Sequence, residues 1–211
     1  MRIELETLDR LTAAAEAGNA AAQLELSLRY ETGEGCAPDA KQSIDWLKAA
    51  CASGYAPALN ALGLKYEYGT GVPLNVRLAC STYRKGAEAG DADAQFALAK
   101  MYLVGKGVHL DADEAFEWYQ RAAEQGHQIA QFNLGEMYSF GRGTTLDETA
   151  AHKWYLAAAE QGVVEAQMKL AKIYQDGRGV VADEYIASEW YRRAAEQALV
   201  DAQSLSKKKN E

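Results

Sequence analysis

The chain has 211 residues, of which 48% are hydrophobic and 25% charged, as in a typical soluble folded protein. Its formal net charge of −8 disfavours nucleic-acid binding, because that function normally requires a basic surface patch. No apolar run approaches the roughly 20 residues that a membrane-spanning helix needs, so insertion into a membrane is not expected.

The first predicted element is an N-terminal capping helix over residues 1–18. Acidic residues interrupt this segment, whereas a secretory signal peptide has an uninterrupted apolar core. A cytoplasmic location is therefore expected. Removal of a signal peptide would instead allow a periplasmic or secreted location.

A 36-residue repeat follows the capping helix. Glycine, alanine, leucine and tyrosine each recur at this step, and near-identical ten-residue segments occupy 117–126, 153–162 and 189–198. Such repetition indicates stacked structural units, because a single short hairpin cannot bury its own apolar face. We predict a single repeat domain over residues 1–211, with five units and then a partial helix and tail: 19–54, 55–90, 91–126, 127–162, 163–198 and 199–211.

Each unit is predicted to contain two helices joined by a glycine-rich turn. In the first helix, Ala130, Leu134 and Tyr138 are spaced four residues apart and share one face. A Gly-x-Gly pair then ends the helix, because glycine tolerates the positive φ of a tight turn. An Asp or Asn, whose side chain accepts hydrogen bonds from free amides, is predicted to cap each second helix: Asp39, Asn75, Asp111, Asp147 and Asp183.

In the second helix, Ala151, Trp154 and Ala158 are predicted to form the buried stripe, with Tyr155 beside it. Small residues at one position of the first helices are expected to let neighbouring helices approach closely: Ser27, Gly63, Ala99, Gly135 and Ala171. A recurring glutamine is predicted to bond backbone groups between units: Gln23, Gln95, Gln131, Gln167 and Gln203. Residues 199–206 are predicted to begin a further first helix.

The fourth unit resembles the Sel-one-like repeat (SLR) family of tetratricopeptide-related proteins. The resemblance is carried by Ala130, Leu134, Gly135, Tyr138, Gly141, Gly143, Asp147, Ala151, Trp154, Tyr155 and the segment 158–162. It covers nearly the whole chain, although Thr82 replaces the tryptophan of the second unit. It implies an all-α fold, a right-handed α-solenoid superhelix of tandem 36-residue helix–turn–helix repeats. It also implies an adaptor or scaffold that binds protein or peptide.

Candidate catalytic and metal-binding residues show no recurring pattern, so no cofactor, metal site or enzymatic activity is predicted. The three cysteines lie at different positions of the repeat without a C-x-x-C pair: Cys36, Cys51 and Cys80. The alternative is an enzyme or small-molecule (penicillin-type) binder related to secreted SLR proteins. The Ser-x-x-Lys spacing typical of penicillin-binding proteins occurs here only in the polar tail, at Ser204 to Lys207 and Ser206 to Lys209.

The candidate binding surface is one face of the first helices, opposite the recurring tyrosine, and this face is expected to line the concave groove of the superhelix. Residues on this face differ between units, and an apolar run leading to charged residues suits an extended peptide or an amphipathic helix. An ordinary solvated face is the alternative. We predict a monomeric scaffold, with regulation or inhibition of its partner as one role. Its partner is a protein or peptide of unknown identity that binds Leu28, Leu64, Tyr68, Lys100, Val104, Asn133, Glu136, Phe140, Lys169, Lys172 and Asp176.

Overall fold

The computed structural model describes residues 2–208 and the side chains of residues 8–204. This part of the chain contains eleven helices and no strand. In chain order they are α1 (Arg2–Glu16), α2 (Ala20–Thr32), α3 (Ala40–Ala52), α4 (Ala56–Tyr68), α5 (Val76–Glu88), α6 (Ala92–Val104), α7 (Ala112–Glu124), α8 (Gln128–Phe140), α9 (Glu148–Glu160), α10 (Val164–Asp176) and α11 (Glu184–Lys208).

The helices after α1 form five pairs, each with an A helix followed by a B helix. The A helices are α2, α4, α6, α8 and α10, and the B helices are α3, α5, α7, α9 and α11. Each helix begins 36 residues after its equivalent in the preceding pair. The predicted all-α class of tandem helix–turn–helix repeats is therefore confirmed.

Side-chain caps begin the B helices, as the sequence predicts. The Asp39 carboxylate accepts hydrogen bonds from the backbone N–H groups of Lys41 and Gln42 at 2.9 and 3.0 Å. These amides have no partner inside the helix, so the cap satisfies them. The four other predicted residues cap in the same way: Asn75, Asp111, Asp147 and Asp183. The A helices end at glycines with positive φ, namely Gly33, Gly69, Gly105, Gly141 and Gly177.

The chain divides into two compact units, each with its own buried leucines. Unit 1 is Met1–Leu110 and holds α1 to α6, and unit 2 is Asp111–Glu211 and holds α7 to α11. The predicted single repeat domain and the predicted repeat limits stay predictions. The leucine that recurs in the A helices is 0% exposed in Leu26, Leu98, Leu134 and Leu170.

A buried tyrosine of the B helix packs on a glycine of the A helix in two of the repeats. Tyr155 is 1% exposed, and a Cβ atom added to Gly135 would lie 2.8 Å from its ring. Tyr83 and Gly63 make the equivalent contact in unit 1, where the added atom would lie 2.6 Å from the ring. Side chains larger than hydrogen do not fit at these distances, so the expected close approach is confirmed at Gly63 and Gly135.

The assignment of Trp154 to the buried stripe is wrong. Trp154 is only half-buried, whereas the adjacent Tyr155 is almost wholly buried. Successive residues of a helix point about 100° apart, so only one of the two can face Gly135. The tyrosine takes that place, and the tryptophan keeps part of its surface in solvent.

Helix α11 corrects the prediction for residues 199–206. It runs without a break over 25 residues, whereas the B helix α9 has 13. In the preceding repeat, α9 stops before Gly162, whose φ is +87°. Ala198 occupies the equivalent position and disfavours the left-handed conformation that ends the helix. The expected new A helix is therefore an extension of α11, and Gln203 on it is exposed.

The other recurring glutamines link four of the A helices, α2, α6, α8 and α10, to the helix before them, as predicted. The side-chain amide of Gln131 donates to the backbone oxygen of Ala123 at 3.1 Å. This bond satisfies a buried donor and a carbonyl at the end of a helix, so it fixes how the two helices stack. The same bond joins Gln23 to Ala15, Gln95 to Ala87 and Gln167 to Ala159.

Candidate functional site

The predicted binding residues of the A helices are called the stripe below. In unit 1 they lie on an exposed face of α2, α4 and α6. Lys100 is exposed on this face, and Lys106 reaches it from the loop after α6. The Nζ atom of Lys106 lies 5.6 Å from the ring centroid of Tyr68. Large apolar side chains are 42% to 65% exposed here: Leu64, Leu28, Tyr68 and Val104.

In unit 2 the stripe residues bond more extensively within the protein. Phe140 is 57% exposed, and the Nζ atom of Lys169 lies 5.8 Å from its ring centroid. The side-chain amide of Asn133 donates to the backbone of its own helix at 2.7 Å. Lys172 and Asp176 form an exposed ion pair of 3.0 Å along α10. This part of the stripe therefore combines one large apolar side chain with paired charges.

A network that the sequence analysis missed crosses the stripe face in unit 1. The Tyr83 hydroxyl donates to the Glu67 carboxylate at 2.8 Å, and Lys106 pairs with the same carboxylate at 2.8 Å. Burial alone would raise the pKa of Glu67, but the hydrogen bonds from Lys106 and Tyr83 and the nearby positive charges outweigh it and lower that pKa. Glu67 is therefore held as a carboxylate that ties α4 to α5 and to the loop after α6.

Unit 2 builds the same kind of network from different residues. The Tyr155 hydroxyl donates to the Glu136 carboxylate and lies 3.2 Å from the Ser139 hydroxyl. Lys169 pairs with Glu136 at 2.8 Å. Burial, and then the bond to Glu136, raises the pKa of Tyr155, so the hydroxyl remains a donor. Two predicted binding residues, Glu136 and Lys169, thus also tie α8 to α9 and α10.

A cavity of about 490 Å³ opens in unit 2 among α8, α9, α10 and α11. Three of its lining residues belong to the predicted stripe: Phe140, Lys169 and Lys172. The sequence analysis missed several others, among them Ser139, Met168, Ile173, Arg178 and Tyr191. One signal was available, because Phe96 and Phe132 stand at the position of Met168 in earlier repeats. Ser139 and Ile173 also lie on A helices but outside the predicted face, whereas Arg178 lies in a loop and Tyr191 on the B helix α11.

The equivalent place in unit 1 encloses only about 40 Å³. There Glu67 extends from α4, and Lys106 crosses to it. Ser139 stands 72 positions after Glu67, so unit 2 lacks this carboxylate. Arg178, the counterpart of Lys106, pairs instead with Glu148 at 3.0 Å. The short side chain of Ser139 and the pairing of Arg178 with Glu148 therefore leave the cavity of unit 2 open.

The described side chains contain no cluster of three or more residues suited to hold a metal ion. All three cysteines are free thiols. Of the two Ser-x-x-Lys matches, Ser204 is exposed, and the side chains of Ser206, Lys207 and Lys209 lie outside the described residues. Between residues 2 and 208, no helix is long and apolar enough to cross a membrane.

The Sel1 repeat pattern matches five consecutive segments, residues 20–55, 56–91, 92–127, 128–163 and 164–199. The chain is similar to the crystal structure of c5321, a protective antigen present in uropathogenic Escherichia coli strains. The sequence identity is 41% over 90% of this chain, and the TM-score is 0.86. A Sel1 repeat protein from Oxalobacter formigenes is 36% identical over 85% of this chain, with a TM-score of 0.78.

The match covers 40% of the E. coli protein's length and 71% of the Oxalobacter protein's length. The immunity protein Pa5087 from Pseudomonas aeruginosa is similar in fold alone, with 19% identity and a TM-score of 0.53. That likeness covers 90% of this chain and 73% of the immunity protein. No curated protein matches the chain.

Proposed function

This chain belongs to the Sel1 repeat family, and we propose that it is a non-catalytic scaffold that binds a protein or peptide on the exposed face of its A helices. One observation carries this proposal. The A helices expose large apolar side chains at positions where the residue type changes from repeat to repeat. The residues at the neighbouring positions are the same in most repeats and are buried. In unit 1, Tyr68 and Val104 are 60% and 65% exposed. Aromatic and aliphatic side chains of this size are common anchors of protein interfaces.

The charge near these side chains indicates which partner segments fit unit 1. Lys100 and Lys106 lie near Tyr68 and Val104, although the whole chain carries a net charge of −8. An apolar segment with an acidic residue nearby would complement this face. A scaffold that covers a partner's surface in this way would regulate or inhibit it. The likeness to immunity proteins concerns the fold alone, so it does not identify the partner.

The test is affinity capture with two variants of unit 1. Tyr68→Ala combined with Lys100→Glu should reduce recovery of the partner by at least about tenfold, because anchors at interface centres carry most of the binding energy. The melting temperature should stay close to that of the wild type, since both side chains are exposed.

Leu74→Ala is the matched control, because Leu74 is 65% exposed in unit 1 but lies in the loop between α4 and α5 and not on an A helix. Its recovery of the partner should equal that of the wild type. If the control loses the partner and the double variant retains it, the binding surface lies on the loops, and the proposal for the A helices fails.

A further inference from the structure

We propose that the cavity of unit 2 is a specificity pocket, which takes a bulky aromatic side chain of a partner peptide while Lys172 binds a carboxylate beside it. This inference deepens the scaffold proposal and rests on it. The occupant is a peptide segment of another protein.

The pocket is a local departure from the repeat. Unit 1 fills the equivalent place with the pair of Glu67 and Lys106, which leaves about 40 Å³. Unit 2 places Ser139 there, and Glu136 from the preceding turn of α8 accepts the bond of the Tyr155 hydroxyl. The buried tyrosine thus keeps its acceptor while about 490 Å³ becomes free. That volume lies within the range of roughly 300–1,000 Å³ usual for ligand pockets.

The surfaces of the pocket suit an aromatic ring. Ile173 and Tyr155 are almost wholly buried beneath the opening. Phe140, Met168 and Tyr191 are 57%, 52% and 40% exposed around it. A flat ring that enters would cover all three partly exposed side chains. Sulfur and aromatic neighbours make favourable contacts with such a ring.

The charges at the rim indicate a carboxylate next to that ring. Lys169 is bound to Glu136, which also accepts the bond from Tyr155, and Arg178 is bound to Glu148. Lys172 is the most exposed of the three lining cations, at 59% of its side chain. Its pair with Asp176 is an exposed pair along one helix, which contributes little to stability, so the ammonium can turn to a ligand at low cost.

The shape of the opening favours a chain over an isolated small molecule. Glu165, Met168 and Lys172 line it along α10. At a rise of 1.5 Å per residue, the seven steps from Glu165 to Lys172 span about 10 Å. An extended segment of three residues has a similar length. The aromatic side chain and the carboxylate would therefore be on adjacent or next-adjacent residues of the partner.

The experiment uses the whole protein with carbon-13 in its methionine methyl groups. The probes are three capped dipeptides: N-acetyl-tryptophanyl-glutamate amide, its lysine counterpart and its alanyl-glutamate counterpart. The first should shift the Met168 methyl signal with millimolar affinity, and the signal of Met101 in unit 1 should stay unchanged. Affinity should fall at least about threefold for the lysine probe, and the alanyl probe should cause no shift.

Three pocket variants and one control separate the pocket from the fold. Ser139→Glu copies the side chain that closes unit 1 and should abolish the Met168 shift. Phe140→Ser removes one wall without adding charge and should also weaken binding. Leu74→Ser, at a 65% exposed loop position of unit 1, is the control and should bind as the wild type does. Lys172→Gln should retain tryptophan binding and lose the preference for glutamate over lysine.

Each of three contrary results would overturn one part of this proposal. Absence of a Met168 shift with the tryptophan probes excludes the pocket. Equal affinity for free indole and for the glutamate probe makes the site a small-molecule pocket and overturns the peptide proposal. If Ser139→Glu still captures the cellular partner fully, the pocket proposal fails while the scaffold proposal stands.

Discussion

Two adjacent aromatic residues, Trp154 and Tyr155, have different roles in the packing of α9 against α8. Tyr155 lies against Gly135 and is 1% exposed, whereas Trp154 is half-buried. Tyr155→Ala should therefore destabilise the protein by about 3–5 kcal/mol, the usual range for a buried aromatic residue. Trp154→Ala should have a clearly smaller effect. Urea unfolding of both variants measures the two values, and equal losses would contradict this division of roles.

The three cysteines should differ in reactivity although all are free thiols. The thiolate is the reactive form of cysteine. Burial, opposed in part by Lys85, raises the pKa of Cys51 to about 11. Cys80 is 2% exposed, and burial also raises its pKa. At pH 8, iodoacetamide should thus modify Cys36 first, as followed by peptide mass spectrometry. Equal modification rates are expected only after unfolding in urea. Equal rates in the native protein would contradict this order.

At the scale of helices, the sequence predicted features that are local in the chain. Asp39 and its equivalents cap the B helices because a cap needs only the next three residues. The bond from Gln131 to Ala123 was also predictable, since it spans eight residues and recurs at the same step. The break expected at Ala198 was not found, because the repeat pattern was extended past the last glycine that supports it.

The pocket of unit 2 was less predictable for a physical reason. The shape of the pocket depends on which carboxylate each lysine, arginine and tyrosine side chain bonds, and these partners are distant in sequence. Lys169 pairs with Glu136, 33 positions before it, and Arg178 pairs with Glu148, 30 positions before it. Several acids lie within reach of each cation in the repeat pattern, so spacing alone does not choose among them. Exposure of Phe140 follows from its helix face, but the cavity beside it does not.

The contact between α9 and α10 should depend on pH through His152. Its Nε2 atom lies 3.1 Å from the Tyr174 hydroxyl, and the two rings meet edge to face. Burial lowers the pKa of His152 from its ordinary value of 6.5. The neutral ring is thus preferred in the folded state. Its contribution to stability is complete above pH 6.5 and is lost as the pH falls from there through the folded-state pKa.

Phe116 occupies the equivalent position one repeat earlier and packs edge to face on Tyr138, so His152→Phe is the natural comparison. The melting temperature of the wild type should fall more between pH 7.5 and pH 5.5 than that of His152→Phe. His109→Asn, a change at an exposed loop position, should behave as the wild type does. Parallel pH curves for the wild type and His152→Phe would show that His152 does not link stability to pH.

At the scale of the whole molecule, the repeat architecture makes stability a sum of local contacts. The A helix α8, for example, packs on α7 before it and on α9 after it, through the buried Leu134, the bond from Gln131 and the ring of Tyr155. In such arrays the free energy of unfolding is divided among repeats and their nearest-neighbour interfaces. The division of the chain into two compact units agrees with this local organisation. A defect in one repeat should therefore affect its neighbours most.

Leu134→Ala tests this expectation by hydrogen exchange. Leu134 is 0% exposed in α8, so its truncation should destabilise the core by about 2–5 kcal/mol. Amide exchange should accelerate most in α7 to α10, whereas α2 and α3 should keep nearly wild-type protection. Leu26→Ala in α2, also at a 0% exposed leucine, should give the opposite pattern, with the largest acceleration in α1 to α3. Uniform acceleration along the chain in both variants would mean that the protein unfolds as one cooperative body, because protection would then report only global opening.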